Sequence, residues 1–427
     1  MKIKIKPVKK IVGEVIVPGD KSIAHRALMI GALAMGATRI KGLPESDDCN
    51  YTAKAFRDMG INIRRELDVT IVEGNGLHGL KKPGNPLYVG NSGTSMRLLA
   101  GILAGQSFES TLTGDTGISA RPMKRVVEPL NMMGVKISAK DGEYPPLAIA
   151  GGRVRPIAYK NSIASAQIKS AILFAGLYSK GTTKVVEPVK SRDHTERMLK
   201  YFGAKVKIEG RCVSVRGDRE LKARAFEIPG DISSAGFFMA AATLLKGSKI
   251  KIRNVSINPT RAGILKVLSM MGSDVKIVNR KMRGPEPSAD IVVKYSKTRG
   301  ITITKDMVPS VIDELPIIFV LASLSKGKTI VEGARELRVK ETDRIVSMQN
   351  GLKAMGADFR VEGDRIVIEG PKSLKGAGLK SFGDHRTCMA LAVAALTAES
   401  DSEIEGMESV SKSFPAFFET LFNLTIA

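Results

Sequence analysis

The sequence predicts an α/β protein assembled from an internal repeat, and three observations predict it. Six times a small polar residue opens a Gly/Ala-rich apolar helix: PGDKSIAHRALMIGALAMG from Pro18, GNSGTSMRLLAGILAG from Gly90 and NSIASAQIKSAILFAGLYSKG from Asn161, then PGDISSAGFFMAAATLLKG from Pro229, IDELPIIFVLASLSKG from Ile312 and GDHRTCMALAVAALTAE from Gly383. Four of these helices are followed by Gly and a β-branched run: GATRIKG from Gly36, GTTKVVEP from Gly181, GSKIKIRN from Gly247 and GKTIVEG from Gly327. Five second helical patterns then end in Met or Phe before a C-capping Gly, at Gly60, Gly134, Gly203, Gly272 and Gly356.

Each unit therefore reads helix, strand, helix, strands, because alternating runs such as 135–137, 206–208 and 275–277 follow the capping glycines. The units recur roughly every 70–85 residues, longer than solenoid repeats, so each is a small α/β subdomain. At 427 residues the chain exceeds one ordinary core. Six units divide three and three. Pro18-Gly19 and Ile228-Pro229-Gly230 are matched junctions, each followed by Asp and a helix start. The expected lobes are 20–229 and 1–19 plus 230–427, with a double-crossover hinge near 18–20 and 228–231 and a ligand cleft between them. The last unit lacks a following strand of its own, and a strand from the N-terminal segment is expected to complete it.

Composition narrows the function. No apolar run reaches the roughly 18–20 residues that span a bilayer, and residues 1–10 alternate Lys and Ile like a half-exposed strand, not a signal peptide. Cys49, Cys212 and Cys388 show neither disulfide nor metal-ligand spacing, which fits a cytoplasmic location and no metal. The net charge of +23 invites nucleic acid, but there is no basic tail, no Trp and only 5% aromatic residues to stack bases. Much of the charge lies on alternating strands such as 249–253, the pattern of a solvated sheet face. Basicity serves anionic metabolites equally well, by electrostatic steering.

Helix N-termini carry unsatisfied N–H groups and partial positive charge, so each helix start is a potential anion site. Lys21-Ser22 opens the first helix with Arg26 about a turn on; Asp20 between Gly19 and Lys21 rules out a P-loop. Asn91-Ser92-Gly93-Thr94 gives an amide, a hydroxyl and a Gly that admits a ligand to the backbone. Arg121 precedes Pro122, while Arg97 reads as a structural partner. Ser165, Gln167 and Lys169 present a hydroxyl, an amide and a cation within about a turn, and Arg192-Asp193-His194 opens the second helix of that unit. Asp313-Glu314, taken alone, reads as a helix cap; Lys340-Glu341-Thr342-Asp343-Arg344, Asp384-His385-Arg386 and Lys412 complete the set. The fourth start, Asp231-Ile232-Ser233-Ser234, carries no cation and reads as hinge and scaffold.

The motifs PGDKSIAHRA, GNSGTSMR, ARPM, SAQIKSA, SRDHTERML, DELP, RVKETDR, GDHR and SKSFPAFFETL, in this order along nearly the whole chain, resemble the 5-enolpyruvylshikimate-3-phosphate synthases. The resemblance implies two lobes of three βαβαββ-like units each, closing around two small-molecule substrates. It implies transfer of the enolpyruvyl group of phosphoenolpyruvate to the 5-hydroxyl of shikimate 3-phosphate, with release of phosphate, and neither cofactor nor metal. The enzyme is expected to be a cytoplasmic monomer of aromatic amino-acid biosynthesis. By similarity Lys21, Ser22, Arg26, Ser165, Ala166, Gln167, Arg192, Asp313 and Lys340 bind shikimate 3-phosphate. Lys21, Gly93, Arg121, Gln167, Arg344, Arg386 and Lys412 bind phosphoenolpyruvate, and Asp313, Glu341 and Lys21 are the expected proton carriers.

Ala166, where the common bacterial form has a second Ser, together with Leu98 and Arg192, resembles the second, glyphosate-tolerant class. That tolerance goes with a methyl group at position 93, and Gly93 leaves the inhibitor response open. Two alternatives are UDP-N-acetylglucosamine enolpyruvyl transferase, which needs a reactive loop Cys or Asp in the second unit, and an RNA-end-processing protein favoured only by charge.

Overall fold

The computed structural model describes residues 1–426. Its contacts divide the chain at Pro18/Gly19 and Ile228/Pro229. The N-terminal lobe holds Gly19–Ile228 and, from later in the chain, Arg283–Glu286; the C-terminal lobe holds Met1–Pro18, Pro229–Met282 and the chain from Pro287 on. Each lobe has its own apolar core and three sheets.

The second repeat shows the plan. Strand Leu87–Tyr88 leads into the buried helix Gly93–Leu103, strand Glu109–Thr113, helix Lys124–Met132 and the strands Lys136–Lys140 and Tyr144–Ala150. The first strand pairs parallel with Glu109–Thr113, and the last lies antiparallel between Glu109–Thr113 and Lys136–Lys140. This βαβαββ order recurs in the third and fifth repeats.

The first and fourth repeats exchange their opening strands. Lys10–Ile16 precedes the first buried helix, Lys21–Leu33, yet pairs parallel with Lys249–Ser256 of the fourth repeat. Ala225–Glu227 precedes the fourth buried helix, Ile232–Leu244, yet pairs parallel with Ala34–Lys41 of the first. The exchange is what carries the chain across twice, at the two junctions. In the sixth repeat Gly378–Lys380 pairs parallel with Ser402–Glu405, and Lys2–Ile5 supplies the antiparallel strand.

The opening helices are apolar on nearly every side, so they are buried on nearly every side; Ile232–Leu244 exposes almost nothing. Small residues let them pack backbone to backbone. A Cβ at Gly101 would lie 2.2 Å from the Ala171 carbonyl oxygen, so helices Gly93–Leu103 and Ala166–Gly176 touch there with no room for any other residue. Five of the six are capped by their own sequence: Asp20, Ser92, Ser165, Asp231 and Asp384 each accept a hydrogen bond from a backbone N–H two or three residues on. The fifth instead starts Leu315-Pro316, where proline removes one orphan donor.

The capping glycines of the second helices all adopt a left-handed φ, between 84° and 97°. Beside each, a basic residue's backbone closes the helix end. The N–H of Lys81, Arg155, Lys222, Arg299 and Lys375 donates to the carbonyl of Met59, Met133, Phe202, Met271 and Met355, at 2.8–3.0 Å. The bond satisfies an orphan carbonyl and brings a basic residue to the end of the helix where the dipole favours positive charge. Part of the net charge is thus built into the repeat itself.

Candidate active site

Each lobe gathers part of the expected set. In the N-terminal lobe Asp20 caps the first helix, so Lys21 and Ser22 stand at its N-terminus. Lys21 Nζ pairs with Asp48 at 2.8 Å in a partly open position. Arg26 is buried: Nη1 donates to the Ser22 carbonyl, Nε to Thr195 Oγ1 at 2.6 Å and Nη2 to Ser170 Oγ at 3.0 Å. Burial lowers its pKa to about 10; the Glu196 and Asp20 carboxylates work against the shift, and the nearby Arg192 cation adds to it.

A second group lies around Gly93, the first residue of its helix, with Ser92 as cap. Arg97 Nη1 donates to Gln167 Oε1 at 2.7 Å, and Gln167 Nε2 donates to Thr94 Oγ1 at 3.1 Å. Gln167 and Ala166 form the first turn of the helix that Ser165 caps. Arg121 Nη2 donates to Asn91 Oδ1, and Asn91 Nδ2 is held by both oxygens of Asp115 at 2.9 Å. A Cβ at Gly93 would stand 2.7 Å from Arg97 Nη1 and 3.0 Å from Arg121 Nη1, so two guanidinium groups converge on a buried backbone that carries no side chain.

In the C-terminal lobe one arginine organises the carboxylates. Arg344 donates through Nε to Asp384 Oδ2 at 2.8 Å, through Nη1 to Asp313 Oδ1 at 3.3 Å and through Nη2 to Glu341 Oε2 at 2.5 Å. Burial opposes its charge, but Asp384, Glu341 and Asp313 outweigh that and hold its pKa above the ordinary guanidinium value. Asp384 also caps helix His385–Leu396 through the Arg386 and Thr387 N–H groups. Arg386 grips Asp313 through its carbonyl at 3.2 Å and its carboxylate at 3.6 Å. Lys412 Nζ donates to the Gly383 carbonyl at 2.8 Å, and Lys340 follows the turn Arg335–Val339, immediately before Glu341.

The chain itself matches a known family along almost its full length. The model of the EPSP synthase family, 3-phosphoshikimate 1-carboxyvinyltransferase, matches residues 5–421. The chain belongs to the EPSP synthase family. The 3-phosphoshikimate 1-carboxyvinyltransferase of Brevibacillus brevis is 48% identical, over 99% of this chain and 100% of that protein. That of Geotalea daltonii is 47% identical, over 99% and 98%. An EPSP synthase structure from Acinetobacter baumannii superposes with a TM-score of 0.89 at 43% identity, over 100% of this chain and 98% of that one. NikO of Streptomyces tendae, an enolpyruvyl transferase, has a TM-score of 0.78 at 17% identity, over 99% and 96%, and shares the fold alone. As a member of that family the protein is a carboxyvinyl transferase of the shikimate pathway on the two-lobed α/β enolpyruvyl transferase fold.

The sequence pattern left several partners unread: Asp48 on Lys21, Ser170 and Thr195 on Arg26, and Asp384 on Arg344. One expectation needs correction. The fourth helix start does carry a cation, because Arg261 is buried there, with Nη1 2.6 Å from Glu314 Oε1, Nη2 3.4 Å from Asp231 Oδ1, and a bond to Ser233 Oγ. The available signal was position: Arg121, Arg192, Arg261 and Arg344 all stand at or just before the start of a second helix.

Proposed function

We propose that this enzyme adds the 5-hydroxyl of shikimate 3-phosphate to phosphoenolpyruvate and eliminates phosphate through a tetrahedral ketal. The observation that carries the reading is Arg344, which holds Asp313 and Glu341 together while leaving both carboxylates part-exposed. Lys21, Ser22, Arg26, Ser165, Ala166 through its N–H, Gln167 and Arg192 bind shikimate 3-phosphate, with Asp313 and Lys340 on its hydroxyls. Guanidinium forks, a lysine and a helix N-terminus suit a phosphate dianion. Lys21, Gly93, Arg121, Gln167, Arg344, Arg386 and Lys412 bind phosphoenolpyruvate, whose carboxylate and phosphate need several cations.

The chemistry requires one proton off the hydroxyl and one onto the methylene carbon, then removal of a proton from the new methyl group as phosphate leaves. Asp313 accepts the hydroxyl proton. Glu341, with Lys21, delivers the second proton and takes it back. The Arg344 pair stabilises the Glu341 carboxylate; when the anionic substrate draws on Arg344, that stabilisation falls and the protonated form is favoured. The same cation thus binds the substrate and tunes the acid.

UDP-N-acetylglucosamine is the competing acceptor. Asp115, which follows strand Glu109–Thr113 in the second repeat, is occupied by Asn91 and by the Ile118 N–H it caps, which argues against a nucleophilic role. The second-class reading rests on Ala166, Leu98 and Arg192, and competition of glyphosate against phosphoenolpyruvate tests it. We take the enzyme to be a cytoplasmic monomer, consistent with three unpaired cysteines, and light scattering checks the monomer. The deciding assay is phosphate release from phosphoenolpyruvate with shikimate 3-phosphate, with UDP-N-acetylglucosamine, or with neither. Release only with shikimate 3-phosphate is expected; release with the nucleotide sugar alone would reverse the assignment.

A further inference from the structure

Lys169 has no role in the chemistry above, yet it is fully buried with two carboxylates. Its Nζ lies 2.8 Å from Glu187 Oε2 and 2.7 Å from Glu196 Oε1, and all three side chains are at most 1% exposed. Such a cluster is a poor source of stability, since apolar side chains of similar volume usually do as well or better. Its neighbours suggest a positional task. Glu187 accepts hydrogen bonds from Ser191 Oγ and the Ser191 N–H, closing the segment directly before Arg192. Glu196 follows Thr195 in the first turn of helix His194–Tyr201, and Lys169 precedes Ser170 in helix Ala166–Gly176. Ser170 Oγ and Thr195 Oγ1 are 2.6 Å apart, and both accept from Arg26. Two adjacent rungs therefore tie the helices together, one ionic and one of hydroxyls, and the second cradles the arginine.

We infer that Lys169 is a positioning residue for the phosphate group of shikimate 3-phosphate, setting Arg26 and Arg192 through the Glu187–Ser191 and Glu196–Thr195 links. The inference rests on the proposed roles of Arg26 and Arg192. Lys169 also has an electrostatic task. Glu196 already acts on Arg26, and without the ammonium whatever charge Glu196 keeps would draw on Arg26 alone and compete with the phosphate. Burial favours the neutral form of Glu196, and Lys169 is the first force pulling it back toward the carboxylate.

The test is Lys169→Met, with Lys169→Met/Glu196→Gln as the charge-balanced partner and Ser191→Ala as the mildest break. Steady-state kinetics are combined with calorimetric titration of shikimate 3-phosphate. Lys169→Met should raise KM and Kd for shikimate 3-phosphate about tenfold or more, as expected for weakened charge-assisted contacts, with kcat and the phosphoenolpyruvate KM within about threefold. The double variant should recover most of that loss. A folded Lys169→Met with unchanged shikimate 3-phosphate affinity overturns the inference, as does a uniform loss in both substrates that the double variant does not relieve. If Lys169→Met does not fold, Ser191→Ala decides: a selective rise in the shikimate 3-phosphate KM supports the bracket, and no change overturns it. A wild-type enzyme that fails to bind shikimate 3-phosphate in the same titration refutes the substrate assignment instead.

Discussion

Arg344 and Lys169 organise clusters of similar composition, one cation among two or three carboxylates, yet the two are exposed differently. Around Arg344 the Asp313 and Glu341 side chains keep 14% and 20% of their surface open, while Asp384 is sealed. Around Lys169 both carboxylates are sealed. An open carboxylate can exchange a proton with a ligand. A sealed one can only hold its neighbours in place. Exposure, more than composition, separates the reactive cluster from the brace.

The sharpest way to break this contrast is Glu341→Gln, which keeps shape and removes the proton carrier. We expect kcat to fall by about 10²–10⁴-fold, with both substrates still binding by calorimetry. Turnover near the wild-type rate would make the open cluster as inert as the sealed one. The sealed cluster should instead register in the pH dependence of stability, whatever its net contribution. Burial disfavours the Lys169 charge, but Glu196 and Glu187 outweigh it and raise its pKa above 10.5. The folded state therefore holds this proton longer than the unfolded state. Its contribution is complete below pH 10.5 and is lost as the pH rises through the folded value. Melting curves from pH 9 to 12 should show the wild type losing Tm faster above about pH 10.5 than Lys169→Met/Glu196→Gln; parallel curves would deny the cluster a structural role.

A smaller effect is expected at Gly93. A methyl group there meets only the flexible ends of Arg97 and Arg121, so Gly93→Ala should leave Tm unchanged and raise the phosphoenolpyruvate KM by roughly three- to tenfold, about one displaced guanidinium contact. An altered shikimate 3-phosphate KM with no change for phosphoenolpyruvate would move Gly93 out of its assigned subsite. The smallest effect should come from Glu369→Gln, which breaks an Arg360 pair that is about half exposed. Such pairs contribute about 0–1 kcal/mol, so a Tm shift beyond about 4 °C would mean that openness is a poor guide to a cluster's role here.

Helix starts and C-caps were legible because their signals are local. Asp20 and Ser165 cap the helices their own positions announce, and the five glycines fall at the left-handed ends their Met-Gly or Phe-Gly pairs imply. Partners were not legible where they are distant in sequence. Arg26 meets Thr195 169 residues on, and Arg344 meets Asp384 40 residues on; which face meets which depends on packing between repeats, and periodicity does not encode it. Arg261 was missed for the same reason, since Asp231 lies 30 residues before it and Glu314 53 residues after it, in the next repeat. The sequence likewise contains nothing to mark Arg283–Glu286 as part of the N-terminal lobe, where Glu286 meets His194 in a sealed pair.

The exchanged strands have a consequence for how the protein is made. Residues emerge from the ribosome in order, but Lys10–Ile16 must wait for Lys249–Ser256, and Lys2–Ile5 for Ser402–Glu405. These strands are thus made long before their partners, and an unpaired strand is a template for aggregation. Lys2, Lys4, Lys6, Lys9 and Lys10 crowd this waiting segment. Lysines are residues that blunt edge-to-edge pairing of an uncovered strand. In the finished fold Lys2 and Lys4 find Glu403 and Asp401.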